Sequence, residues 1–138
     1  MAISQTIGSP ISGYEDRMTR IAVLADIHGN LPAFEAVLND LAGVAVDEII
    51  LAGDLVGRGP QGSAVVRRAR ELGLQSVRGN HEDYLLSFRR REVPVEWLEA
   101  EEWSCSRWMA AELDQNDIEF IDSFPFTTSP STAPTVKI

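Results

Sequence analysis

The sequence predicts an α/β fold, a parallel βαβαβ unit followed by helices. Two apolar runs, Ile21-Ala22-Val23-Leu24-Ala25 and Ile49-Ile50-Leu51-Ala52, are continuous rather than alternating. That is the pattern of strands buried on both faces of a parallel sheet. Each run ends abruptly in a polar loop, and the stretches between strands have helical periodicity and the length of crossover connections. Right-handed crossovers set such strands parallel, with the loops that follow them along one edge of the sheet.

Taken in order, residues 1–17 are polar and mixed, with Gly8, Pro10 and Gly13 breaking any period. They read as a disordered lead-in, with Met18 a candidate start of translation. The first strand covers Ile21 to Ala25. Asn30 is a good N-cap and Pro32 suits a first turn, while Phe34, Val37, Leu38 and Leu41 recur at helical spacing, so a helix is expected from Leu31 to Ala42. Glu48 to Ala52 forms the second strand. A second helix, from about Gln61 to Leu72, gathers Val65, Val66, Ala69 and Leu72 on one face and stops at Gly73, a residue suited to the left-handed closing position.

Leu74 to Val77 is a short third strand, and a third helix follows from His81 to about Arg91. Pro94 separates it from a longer helix, Val95 to Leu113, which carries Trp97, Leu98, Trp103, Trp108 and Met109. So aromatic a helix is read as a lid or packing surface. Asn116 is placed to cap a last short helix through Ile118, Phe120 and Ile121. Past Phe124 the chain is rich in Thr, Ser and Pro and lacks a core pattern, so the domain is expected over 18–124 with an irregular tail over 125–138.

Composition narrows the function classes. At 138 residues the chain has the size of one domain, and its 44% hydrophobic and 24% charged residues are ordinary for a soluble globular protein. The net charge of −9 disfavours a nucleic-acid scaffold, which needs Lys and Arg to displace counterions. Cys105 is the single cysteine, so neither an intrachain disulfide nor a thiolate metal cluster is available, in keeping with a reducing cytoplasm. No apolar run approaches the ~20 residues of a membrane span. The first residues also lack the basic start and apolar core of an export signal.

Function is expected where the strands end. In open α/β sheets ligands bind outside the carboxyl ends of the strands, and there the chain places Asp26 and His28, then Asp54, then Asn80 and His81. Alone, Asp26-Ile27-His28 is accounted for by a polar turn in which Asp26 caps the next helix. Gly53-Asp54 is likewise a common turn. Together, the five residues offer oxygen and nitrogen ligands of the kind that hold Mn, Fe, Zn or Ni, with no sulfur among them.

Asp26-Ile27-His28, Gly53-Asp54 and Gly79-Asn80-His81, in this order and at βαβ spacing, resemble the first three motifs of the calcineurin-like metallophosphoesterases. That family includes protein phosphatases, diadenosine tetraphosphatases and small bacterial phosphodiesterases, and the resemblance covers about residues 19 to 124. It implies the first half of a four-layer αββα sandwich and metal-dependent hydrolysis of phosphate monoesters or diesters. It further implies two divalent ions, with Asp26 and His28 on the first, Asp54 bridging both, Asn80 on the second, and His81 protonating the leaving oxygen. Arg58 and Arg78 resemble the phosphate-gripping arginines of the protein-phosphatase branch, which has an acid where this chain has Gly57. Two ions about 3.5–4 Å apart can activate water and hold both oxygens of an in-line displacement at phosphorus.

The family also supplies further histidines, in Gly-His and Gly-His-x-His segments of a second half, whereas His28 and His81 are the only histidines here. The expectation is the amino-terminal part of a metallophosphoesterase, truncated and impaired as given. Its sheet would be covered on one face only, which favours self-association. The alternative from another class is a non-catalytic binding or assembly module built on the half-domain. A nucleotide-binding Rossmann unit fits poorly, because the loop Asp26 to Asn30 is not a glycine-rich phosphate cradle.

Overall fold

The computed structural model describes residues 19–131, so the expected lead-in and the end of the tail lie outside the described residues. Three parallel strands, β1 (Ile21–Leu24), β2 (Glu48–Leu51) and β3 (Gln75–Ser76), form one sheet in the order β1-β2-β3. Ile21 pairs with Glu48 and Leu24 with Leu51, while Leu51 pairs on its other side with Ser76. All three strands therefore end at the same level, and the loops carrying Asp26, Asp54 and Asn80 leave the same edge of the sheet. The strands are shorter than the apolar runs: Ala25 and Ala52 lie beyond the ladder and are exposed.

The helices are α1 (Leu31–Ala42), α2 (Gly62–Glu71), α3 (Asn80–Arg90), α4 (Ser104–Glu112) and α5 (Gln115–Asp122). At the start of α1 the Asn30 side chain accepts a hydrogen bond from the Ala33 amide at 3.1 Å, with proline in the first turn, as its sequence requires. Gly73, at φ +64°, takes the left-handed position after α2.

Two expectations are corrected. The long helix from Val95 to Leu113 does not exist as such. The chain makes two 3-10 turns, Val95–Leu98 and Glu101–Trp103, with an extended Ala100 between, before α4 begins. The break lets Trp97 and Trp103 stack with ring centroids 3.9 Å apart, and Arg107 Nη1 donates to the Trp97 and Ala100 carbonyls. Aromatic stacking and a charged donor thus replace the hydrogen bonds that a continuous helix would have supplied. The last helix is capped by Asp114 rather than Asn116: Asp114 Oδ1 accepts from the Asp117 amide at 2.9 Å.

The core joins β2 and the loop after it to the helices, with Leu51, Leu55, Val65, Leu85, Met109 and Ile121 all buried. Asp117 ties α5 to α2 from a fully buried position, taking hydrogen bonds from Ser63 Oγ and Arg67 Nε, with Arg70 Nη1 at 3.3 Å. The expected packing role holds for Trp97 and Trp103, which lie against the core, but Trp108 is exposed. After α5 the irregular segment runs back over the sheet. The Arg78 amide donates to the Pro125 carbonyl, Thr128 meets Gln75, and Ser131 donates to Glu48.

β1 is an edge strand whose Val23 is 63% exposed. Beside it an apolar groove of about 360 Å³ runs between Val23 and the Ala33, Val37 and Leu41 positions of α1. Among the described residues no helix is long and apolar enough to cross a membrane.

Ile121 is wholly enclosed whereas Leu98 is 44% exposed. Ile121→Ala is expected to lower the unfolding free energy by about 2–5 kcal/mol. Leu98→Ala should change it by no more than about 0.5 kcal/mol. Urea unfolding followed by circular dichroism measures both.

Candidate metal centre

The loops after β1 and β2 turn by an uncommon route. Asp26, His28 and Asp54 have φ of 57°, 48° and 55°, in the left-handed region that glycine enters freely and other residues at a cost. Each such residue costs on the order of 1–3 kcal/mol and persists only where its surroundings over-determine it. Here the surroundings are backbone hydrogen bonds between the loops. The His28 amide donates to the Asp54 carbonyl and the Gly29 amide to the Leu55 carbonyl, both at 2.8 Å.

These bonds aim the side chains. His28 Nδ1 lies 3.0 Å from the Val56 carbonyl, which can only accept, so Nδ1 carries a proton, and Nε2 faces Asp26 Oδ1 at 3.4 Å. Asp54 Oδ1 accepts from the His81 amide at 3.0 Å. The imidazoles of His28 and His81 meet edge to face with centroids 4.6 Å apart. One ligand atom from each of His28, Asp54 and His81 lies within 4.8 Å of the others, a group able to hold a metal ion. His81 Nδ1 is buried and has no hydrogen-bond partner, a state that burial penalises unless a partner or a metal ion meets the nitrogen. The nitrogen and oxygen donors fit a divalent transition metal.

The other residues expected at the site stand around this group. Asp26 is at the rim, its side chain 70% exposed. Asn80 opens α3 and is exposed. Arg58 is exposed, without a carboxylate partner among the described residues, and lines a cleft of about 480 Å³ together with Asp26, His28, Asn30 and Gln61. Arg78 is placed differently. Its guanidinium donates to the Asp122 carbonyl and, at 3.2 Å, to Asp122 Oδ1, lies 3.6 Å from Asp83 and covers the Phe126 ring, leaving its side chain 13% exposed.

Two glycines set the spacing of the group. A Cβ on Gly57 would meet the His81 ring at Nδ1, so an acid at this position cannot be accommodated without displacing the imidazole. A Cβ on Gly79 would strike the Asp54 carboxylate and lie 2.5 Å from its amide nitrogen, so the second and third loops approach only because residue 79 has no side chain.

Glu82 is the residue that sequence reasoning passed over. It is fully buried, and its carboxylate accepts from four backbone amides: Leu55 and Val56 on Oε1 at 2.8 and 3.3 Å, and Asp54 and Gly79 on Oε2 at 2.8 and 2.9 Å. The signal available was its place three residues after the N-cap Gly79, where a Glu side chain reaches back to the cap amide. Its second set of donors, from the loop after β2, has no signature in the local sequence.

Fold and site together define an α/β protein with oxygen and nitrogen ligand atoms gathered at the ends of parallel strands. The profile described as calcineurin-like phosphoesterase matches residues 19–130, and the chain belongs to that family. It is 32% identical over 105 residues to an uncharacterized protein of Methanocaldococcus jannaschii, a match covering 76% of this chain and 42% of the relative. It is 40% identical over 82 residues to a symmetrical bis(5'-nucleosyl)-tetraphosphatase of Hamiltonella defensa, covering 55% of this chain and 30% of that protein. Among solved structures, a metallophosphoesterase from Sphaerobacter thermophilus superposes with a TM-score of 0.61 at 30% identity, covering 79% of this chain and 42% of the other. The chain thus spans less than half the length of these relatives.

Burial holds the His81 pKa below its ordinary 6.5, and the positive charge of Arg58 and the neighbouring His28 act in the same direction against the carboxylates of Asp54 and Glu82. Between the folded and unfolded pKa values the unfolded chain binds more protons at this residue. Its contribution to stability is therefore whole above pH 6.5 and lost as pH falls through the folded value. Imidazole NMR titration of the metal-free chain should show His81 titrating below 6.5, and His81→Asn should flatten the acid limb of stability against pH.

Proposed function

We propose that this chain contributes the amino-terminal part of a two-metal site that hydrolyses phosphate monoesters or diesters. The observation that carries the reading is the convergence of His28, Asp54 and His81 ligand atoms within 4.8 Å at the strand ends of a calcineurin-like phosphoesterase. Asp26 and His28 would hold one ion, Asp54 both, and Asn80 the second. When bound, divalent ions such as Mn, Fe, Zn or Ni stabilise charge on a phosphoryl oxygen and make water a nucleophile near neutral pH.

The chain's own residues do the rest. Arg58, exposed at the edge of the cleft, offers a planar pair of donors to a phosphate and orients it over the site. His81 stands ready to protonate the leaving oxygen. Burial disfavours its charged form in the free protein, and an arriving phosphate anion favours that form. Arg78, engaged by Asp122 and Asp83, would join only by exchanging those partners for phosphate. A cytoplasmic location is part of this reading, supported by the single free thiol. So is self-association through the uncovered part of the sheet, where Val23 is exposed and Val23→Lys is the disrupting change.

Calorimetry with Mn²⁺ tests the site. Binding is expected to be weak, since this reading gives the ions one imidazole, His28, the second histidine being the proton donor, and to be lost in Asp54→Asn. Equal binding by wild type and variant would remove Asp54 from the site. Where Mn²⁺-dependent turnover of an aryl phosphate or a dinucleoside polyphosphate is detected, His81→Ala should lower kcat by about 10²–10⁴-fold. Arg58→Ala should act on KM. A kcat that survives His81→Ala would take the general-acid role from His81.

A further inference from the structure

We infer that Glu82 is the positioning residue of the metal centre, a buried carboxylate that clasps the second and third strand-end loops and fixes the direction of Asp54. Consecutive amides of Asp54, Leu55 and Val56 point at one carboxylate, forming the kind of concavity that elsewhere receives an anion from solution. Here the protein fills it from within, and the Gly79 amide of the third loop closes on the same group. The first loop is joined through the second, because the Asp54 and Leu55 carbonyls accept from the His28 and Gly29 amides. Asp54, at φ +55°, thus has its amide held by Glu82, its carbonyl by His28 and its carboxylate by His81.

No Lys or Arg pairs with Glu82 among the described residues, and its side chain is wholly enclosed. Its hydrogen bonds go to backbone amides and it does not line the cleft, so it acts through Asp54 and not on substrate. Outer residues that orient a metal's ligands typically govern affinity by 10–100-fold. The inference rests on the functional reading above only in its consequence for metal affinity.

Glu82→Gln is the informative change. It keeps the shape, but a carboxamide turned either way presents an N–H₂ to two of the four donors. Hydrogen exchange of the full metal-free chain, read by NMR, should show at least one pair of amides, Asp54 and Gly79 or Leu55 and Val56, exchanging tenfold or more faster while the amides of α2 keep their protection. Calorimetry should show Mn²⁺ affinity reduced by 10–100-fold.

Ile121→Ala, in the core outside the site, serves as a control of similar or greater instability. It should leave Mn²⁺ affinity and the four local amides unchanged relative to the rest of the fold. Should Glu82→Gln fail to fold, Glu82→Asp, which keeps the charge but falls one methylene short of the β2 loop, takes its place in the same measurements. Full protection of the four amides in the variant, or Mn²⁺ affinity within twofold of a wild type that binds, overturns the inference. A wild type that binds no Mn²⁺ overturns the functional reading instead, and exchange alone then decides on Glu82.

Discussion

A carboxylate taken out of water loses several kcal/mol of hydration, and without compensation it would take up a proton or pull its surroundings apart. Glu82 is compensated by four backbone amides from two loops, and this exchange of water for fixed dipoles is the interaction on which the site's architecture depends. It also answers an accounting problem of the backbone. The amides of residues 54 to 56 leave the ladder at the end of β2 and would otherwise be buried without partners. One side chain from the first turn of α3 satisfies three of them and ties the helix to the sheet edge. The parallel register makes this possible, because Leu51 is flanked by Leu24 on one side and Ser76 on the other, so the three loops start level.

Much of this was legible in the sequence, for physical reasons. Continuous apolar runs ending in polar loops revealed the strands, and the spacing of Phe34, Leu38 and Leu41 with the Asn30 cap gave α1 its observed ends. Local rules failed where tertiary contacts outweigh propensity. Val95 to Leu113 contains good helix formers, yet the stacking of Trp97 on Trp103 requires the chain to fold back and shortens the helix to Ser104–Glu112. Asp114 and Asn116 are both competent caps, and the observed start at Asp114 goes with Asp117 in the first turn, facing Arg67 and Arg70 of α2.

Of the candidate site, the sequence offered residues but not their arrangement. Asp26, His28, Asp54, Asn80 and His81 announce themselves by chemistry and position after strands. That Arg78 is bound by Asp122 depends on where α5 docks, a contact 44 residues away that no local pattern encodes. Glu82 was hidden for the opposite reason. An acid in the first turn of a helix is so ordinary a stabiliser that it calls for no further explanation until its burial is seen.

The left-handed backbone at Asp26, His28 and Asp54 bears on which residues these positions can hold at all. Glycine, asparagine, aspartate and histidine enter that region most readily, whereas β-branched side chains are all but shut out. Three of those four types are also metal-binding side chains, so the loop shape selects for ligating chemistry before any ion arrives. Replacing one of these residues by valine or isoleucine would therefore combine two injuries, a lost donor and a distorted turn. Substitution by asparagine or glycine separates them, and tolerance to exchange at 26, 28 and 54 is governed by backbone geometry as much as by catalysis.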